Sequence, residues 1–199
     1  MVFIRVKDLM ISLDKYAVVS EEASFHEAIL ALGKARAGAD EEDDRPRAVL
    51  VANKDGRIVG KLDSWDLLKG LEPRYNKVGY ARELSSSDCS GEHAGSILKT
   101  YGLWRDVLDE VCEIAPRMSV KDTMHILNER EYIEAEVCIE EAMNRMVVYN
   151  LTSLIVTQEG EARGILRLID VLKLIVERIS TCQVYPEIEQ ESADSSLAA

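Results

Sequence analysis

Two parts of this 199-residue chain match each other segment by segment. Val6-Lys7-Asp8-Leu9-Met10 recurs as Val120-Lys121-Asp122-Thr123-Met124, and the same displacement carries Glu27-Ala28 onto Glu141-Ala142. Further along, Asp55-Gly56, Gly60 and Asp66 match Glu159-Gly160, Gly164 and Asp170 at a shorter displacement. The region from Ala37 to Arg45, present in the first copy alone, accounts for the change of register. A surface insertion of this kind is tolerated because loop-closure entropy grows slowly with length.

Each copy predicts the same succession of elements. A V-K-D-x-M opening leads to a short extended segment, Tyr16 to Val19 in the first copy and Tyr132 to Ala135 in the second. A helix follows. In the first copy Ser24 and Glu27 have the spacing of a capping box, with Ala28, Ile29, Leu32 and Ala35 continuing at helical intervals. In the second, Ile139, Met143, Met146 and Val147 form the corresponding stripe. Two apolar runs come next, Ala48 to Ala52 and Ile58 to Leu62 around Asn53-Lys54-Asp55-Gly56, matched by Leu154 to Thr157 and Ala162 to Leu168 around Glu159-Gly160. Paired apolar runs about a D-G or E-G turn predict a hairpin. A closing helix ends each copy, Trp65 to Leu71 and Ile169 to Ile179. One strand-helix-strand-strand-helix unit is too small to bury enough surface alone, so the two are expected to pack sheet against sheet in an α/β (α+β) fold.

Charge narrows the function classes. The chain carries 24 basic and 36 acidic residues, a net charge of -12. Asp40, Glu41, Glu42, Asp43 and Asp44 form one acidic run, and Glu187, Glu189, Glu191 and Asp194 lie near the C-terminus; the rest is close to balance. A phosphate backbone requires a concentrated basic face, which the sequence does not offer, so nucleic acid is not expected as a partner. No apolar stretch approaches the roughly 20 residues of a membrane span, and the charged N-terminus does not read as a signal peptide, so a cytoplasmic protein with no membrane insertion is expected. Cys89, Cys112, Cys138 and Cys182 lack C-x-x-C spacing, and His26, His93 and His125 lack metal-ligand spacing. They read as reduced structural thiols and ordinary histidines.

The segments Ala48 to Leu68 and Ser153 to Lys173, A-V-L-V-A-N-K-D-G-R-I-V-G-K-L-D-S-W-D-L-L and S-L-I-V-T-Q-E-G-E-A-R-G-I-L-R-L-I-D-V-L-K, resemble the second half of a CBS repeat. The V-K-D-L-M and V-K-D-T-M openings resemble its first half. The resemblance implies a Bateman module: two CBS repeats about a pseudo-twofold axis, with clefts between their sheets, commonly a homodimer. It divides the chain into repeat 1 at 1–72, a linker with an amphipathic helix at 73–119, repeat 2 at 120–182 and an acidic disordered tail at 183–199. It implies a regulatory protein that is not an enzyme, requires no cofactor, and binds AMP, ADP, ATP or S-adenosylmethionine. Such a module signals to a partner enzyme or transporter. The alternative is a structural or protein-interaction pair with no nucleotide bound.

The family's ligand motif ends in a Thr or Ser followed three positions later by an Asp that accepts bonds from ribose hydroxyls. Asp66 and Asp170 stand at the matching acidic places, whereas Asp63 and Arg167 replace the hydroxyl residues. Arg167 at that place implies a bidentate phosphate contact, which makes the second cleft the better candidate, with Ile133, Thr152, Ser153 and Leu154 around base and ribose. Asp63 would repel a phosphate. Asp66 and Asp170 also have a purely structural reading as helix-start anions. Between the repeats, Ile97, Tyr101, Trp104, Leu108, Val111 and Cys112 recur at helical spacing before Pro116 and predict an amphipathic helix that packs on its own domain or its dimer mate. No phosphate loop, G-x-S-x-G elbow or histidine-backed Ser64 supports catalysis, and no metal or catalytic residue is assigned.

Overall fold

Strands that are apolar on both faces must be covered on both faces, and the architecture does this twice. The computed structural model describes residues 3–39, 45–72, 99, 102–104 and 107–181. Its first half contains α1 (Val6–Leu9), β1 (Ile11–Ser12), β2 (Ala17–Ser20), α2 (Phe25–Ala37), β3 (Val49–Ala52), β4 (Ile58–Leu62) and α3 (Ser64–Leu71). After α4 (Val107–Ile114), the second half contains α5 (Val120–Thr123), β5 (His125–Ile126), β6 (Tyr132–Glu134), α6 (Ile139–Tyr149), β7 (Ser153–Gln158), β8 (Glu161–Arg167) and α7 (Leu168–Thr181). No helix among the described residues is long and apolar enough to cross a membrane.

Two four-stranded sheets result, ordered β2-β3-β4-β5 and β6-β7-β8-β1. Within each, the first long strand runs parallel to the second through a helical crossover, and the second and third form an antiparallel hairpin. The fourth strand of each sheet comes from the opening of the other repeat. Ile11 pairs with Ile165 and Ser12 with Gly164, while Gly60 pairs with Ile126 and Lys61 with His125. The repeats are therefore not self-contained: each exchanges its opening, short helix included. Val6 is fully buried in the second half's core and Val120 in the first half's. Arg5 and Lys7 also pair with Glu136, Lys7 at 2.7 Å.

Strand periodicity sorts the core into three layers. Val49 and Val51 turn outward beneath α2 and α5, and Leu50 between them turns toward the other sheet. Leu154, Val156 and Leu166 turn outward beneath α6, α7 and α1, while Ile155 and Ile165 meet Leu50, Ile58 and Tyr16 in the middle. At roughly 1.5–3 kcal/mol for each large apolar side chain buried, the middle layer gives the halves a strong reason to stay together.

Local signals fix the element ends. Ser24 Oγ accepts the Glu27 N–H at 3.2 Å and Glu27 Oε2 accepts the Ser24 N–H at 2.7 Å, closing the expected capping box of α2. Asn53 Oδ1 accepts from the Asp55 and Arg57 N–H groups, and Gly56 at φ 78° completes that hairpin. Asn150, at φ 52°, ends α6 in the left-handed conformation.

Two sequence expectations need correction. Val147 is 81% exposed, and Ala142 joins Ile139 and Met146 in the core instead. At about 100° per residue, Val147 falls roughly a quarter turn from the centre of that stripe. In the linker, Trp104 sits in a turn at φ 60°, between the helical Lys99 and a helix over Val107–Ile114. A turn holds Trp104 because its N–H donates to the fully buried Glu72 at 2.6 Å, a tertiary contact that spacing cannot reveal. Ile97 and Tyr101, the acidic run 40–44, Cys89, His93, Cys182 and the 183–199 tail lie outside the described residues.

Candidate functional site

The matching positions of the two halves lie where a closing helix begins, at the C-terminal end of a hairpin strand. In the first half, β4 delivers Asp63 to the start of α3. Asp63 Oδ1 accepts the N–H groups of Trp65 (2.8 Å) and Asp66 (3.0 Å), and Asp66 Oδ2 accepts the N–H of Asp63 at 3.1 Å. The two carboxylates therefore form a capping box, which gives Asp66 the structural role open to it from sequence and Asp63 a role as helix cap. Burial raises the pKa of Asp66; the Asp63 N–H opposes this and the negative charge of Asp63 adds to it. Asp66 also borders a cavity of about 480 Å³ shared with Lys69 and Gly70 of α3 and with Arg117, Ser119, Asp122 and His125 of the incoming opening. Because the openings are exchanged, this wall is built from both repeats.

Behind that cavity lies a buried polar network that sequence reasoning missed. Lys61, 6% exposed in the middle of β4, donates to Glu131 Oε1 at 2.9 Å and to Ser153 Oγ at 3.3 Å. Glu131, 1% exposed, also bonds His125 Nε2 (2.8 Å) and accepts from the backbone and side-chain amides of Asn128. Burial pushes the Glu131 pKa up, but the bonds from His125 and Lys61 outweigh it and hold the group below the ordinary glutamate range. Two signals were available: a lysine inside an apolar strand, and the N-x-x-E spacing of Asn128 and Glu131.

In the second half the equivalent positions make a different arrangement. Arg167 Nε donates to Asp170 Oδ2 and Arg167 Nη2 to Asp170 Oδ1, both at 2.6 Å. Arg167 is 5% and Asp170 8% exposed. Arg167 Nη1 donates to the Arg45 carbonyl at 3.3 Å. The Tyr16 phenol packs against the pair, and burial, with the Asp170 charge adding to it, outweighs the nearby arginines and pushes its pKa up to about 12. The guanidinium expected to face a phosphate faces Asp170 instead, because the two groups stand one helical turn apart at the start of α7 and meet as a fork on a carboxylate.

The remaining expected site residues do not converge on one surface. Ser153 is directly across the ladder from Arg167 but directs its hydroxyl to Lys61. Thr152 is exposed, and its carbonyl accepts the Leu168 N–H at 2.9 Å. Ile133 and Leu154 are buried in the outer core beneath α1, α6 and α7, which leaves their side chains no surface for a ligand. The strand alternation that sends Ile155 inward sends Leu154 the other way.

Comparison with known proteins agrees with this architecture. The CBS domain family matches residues 139–177, from the start of α6 into α7. No curated protein matches the chain. A CBS domain-containing protein from Bacillus anthracis superposes with a TM-score of 0.57 at 19% identity, covering 88% of this chain and 94% of that one. The structure of CBSX2 in complex with AMP gives 0.53 at 16% identity, with 87% and 97% covered. The CBS domain of a bacterial CNNM/CorC family Mg2+ transporter in complex with ATP gives 0.54 at 16% identity, with 86% and 87% covered. At these identities the likeness is one of fold.

Proposed function

We propose that this CBS-domain pair protein is a regulatory module that binds an adenosine-containing small molecule, AMP, ADP, ATP or S-adenosylmethionine, and signals its presence to a partner enzyme or transporter. The observation that carries the reading is the half-buried Asp66 carboxylate on the wall of a cavity about 480 Å³ in volume, with Lys69 and Arg117 beside it. A cavity of that size is within the range that encloses small ligands. In this reading Asp66 accepts bonds from the ribose hydroxyls, and Lys69 and Arg117 neutralise a phosphate. The two similar structures that hold AMP and ATP supply the ligand class. We place the module in the cytoplasm as a homodimer. The exposed stripe of Leu172, Val176 and Ile179 on α7 suits a second copy.

A second reading, a protein-interaction module with no nucleotide, is favoured by one observation: Arg167 and Asp170 satisfy each other. Thermal unfolding with each adenosine compound separates the two. A ligand at about 100 times its dissociation constant adds roughly 2.7 kcal/mol, a rise in Tm of about 5–10 °C for a chain of this length. That rise, lost in Asp66→Asn, supports the nucleotide reading; no rise with any compound supports the interaction module.

A further inference from the structure

The matching positions of the two halves differ in a side chain that changes what the acidic group can do, Asp63 before Asp66 in the first and Arg167 before Asp170 in the second. In the first half one oxygen of Asp66 takes the Asp63 N–H, and the other accepts no hydrogen bond among the described residues, with Lys69 and His125 acting on the carboxylate through charge alone. In the second cleft both oxygens of Asp170 are taken by the Arg167 fork at 2.6 Å. We propose that Arg167 acts as an internal occupant of the second cleft, so that each chain takes one adenosine ligand, at Asp66, and none at Asp170. The inference rests on the nucleotide reading above for the first site and adds a reason for the second to stay closed.

A ribose diol offers Asp170 two neutral hydroxyl donors, whereas the guanidinium offers two charge-assisted ones in a planar geometry matched to a carboxylate. Displacing the guanidinium would also leave a charged group, 5% exposed, without its carboxylate. The Arg45 carbonyl and the Tyr16 phenol hold the guanidinium in place from the first half, so the closure is fixed by the packing of one repeat on the other. A ligand phosphate would meet a guanidinium whose Nε and Nη2 already donate to Asp170 and whose Nη1 donates to the Arg45 carbonyl.

Titration calorimetry with AMP and ATP on the full chain measures this directly. The expected result is one equivalent bound per chain, falling to none in Asp66→Asn, and two equivalents in Arg167→Ser, which restores a hydroxyl and frees Asp170. Two equivalents bound by the unaltered chain, or one retained in Asp66→Asn, would overturn the proposal. These two arms decide the matter even if Arg167→Ser does not fold, which circular dichroism and its unfolding transition establish. If the unaltered chain binds neither nucleotide, the reading at Asp66 fails by itself. One equivalent bound by Arg167→Ser would then still support the internal occupant, and none would overturn it.

Discussion

A Cβ placed on Gly164 would come within 2.4 Å of the carbonyl oxygen of Ile11, so the bare backbone of β8 is what lets the first repeat's opening cross into the second sheet. The equivalent Gly60 makes room for the second repeat's opening, where a Cβ would meet the Met124 sulfur at 2.5 Å and the His125 carbonyl at 3.2 Å. The glycines and methionines that betray the repeat in sequence thus meet across it in space. Gly164→Ala collides with backbone and should cost about 1–3 kcal/mol, whereas Gly60→Ala collides mainly with a flexible thioether and should cost less. Urea unfolding of both variants checks the order, and equal or negligible costs would show that the exchanged strands tolerate a side chain there.

The buried Lys61–Glu131 pair gives a prediction in acid. Glu131 has a folded pKa below its unfolded value, so its contribution is fully present above the ordinary glutamate value of about 4.3. That contribution is lost as pH falls through the depressed folded value. Glu131→Ala leaves Lys61 buried without its partner and should cost about 3–5 kcal/mol at neutral pH. The difference from the unaltered chain should shrink as the pH falls below about 4.3, measured by denaturant unfolding between pH 7 and 3. Lys61→Met with Glu131→Leu should recover most of the loss, and failure to recover would mean that the network's hydrogen bonds matter more than its charges.

Nucleotide binding should also respond to pH through Asp66. Its pKa is raised, chiefly by burial, so protonation begins above the ordinary aspartate value of about 3.9. A carboxylate that accepts ribose hydroxyls loses that capacity when protonated. Affinity should therefore fall as the pH is lowered toward and through the raised value, and the decline should vanish in Asp66→Asn. Calorimetric titrations across the acid range test this, and a pH-independent affinity would remove Asp66 from the site.

The β7–β8 turn places Glu159 at φ 56° ahead of Gly160 at φ 78°. Two consecutive left-handed residues suit Asn-Gly, and glutamate tolerates the first position poorly. Glu159→Asn should raise stability by a few tenths to about 1 kcal/mol, seen as an increase in Tm with no change in ligand binding. A decrease would mean that the carboxylate contributes more than the backbone strain costs.

Much of the fold was legible because local physics dictated it. Helical spacing and the Ser24–Glu27 box placed α2, and apolar runs about Asp55-Gly56 and Glu159-Gly160 placed both hairpins. The V-K-D-x-M echo announced two copies, and the CBS resemblance agreed with the fold and with the family match at 139–177. Trp104 escaped because its backbone conformation is set by the distant Glu72, and Val147 escaped because a stripe read from spacing has no depth.

What the sequence determined by itself, then, was the order of the elements, the duplication and the positions of the acidic groups, since these follow from periodicity and turn chemistry within a few residues of each site. Tertiary structure decided which repeat each opening joins, that Lys61 and Glu131 meet across a separation of 70 residues, and that Arg167 turns to Asp170. The first two are contacts between residues far apart in the chain. The third is a choice of rotamer made by packing: Asp170 stands one turn along the helix, Tyr16 and Arg45 close the other side, and a guanidinium buried there takes the nearest carboxylate.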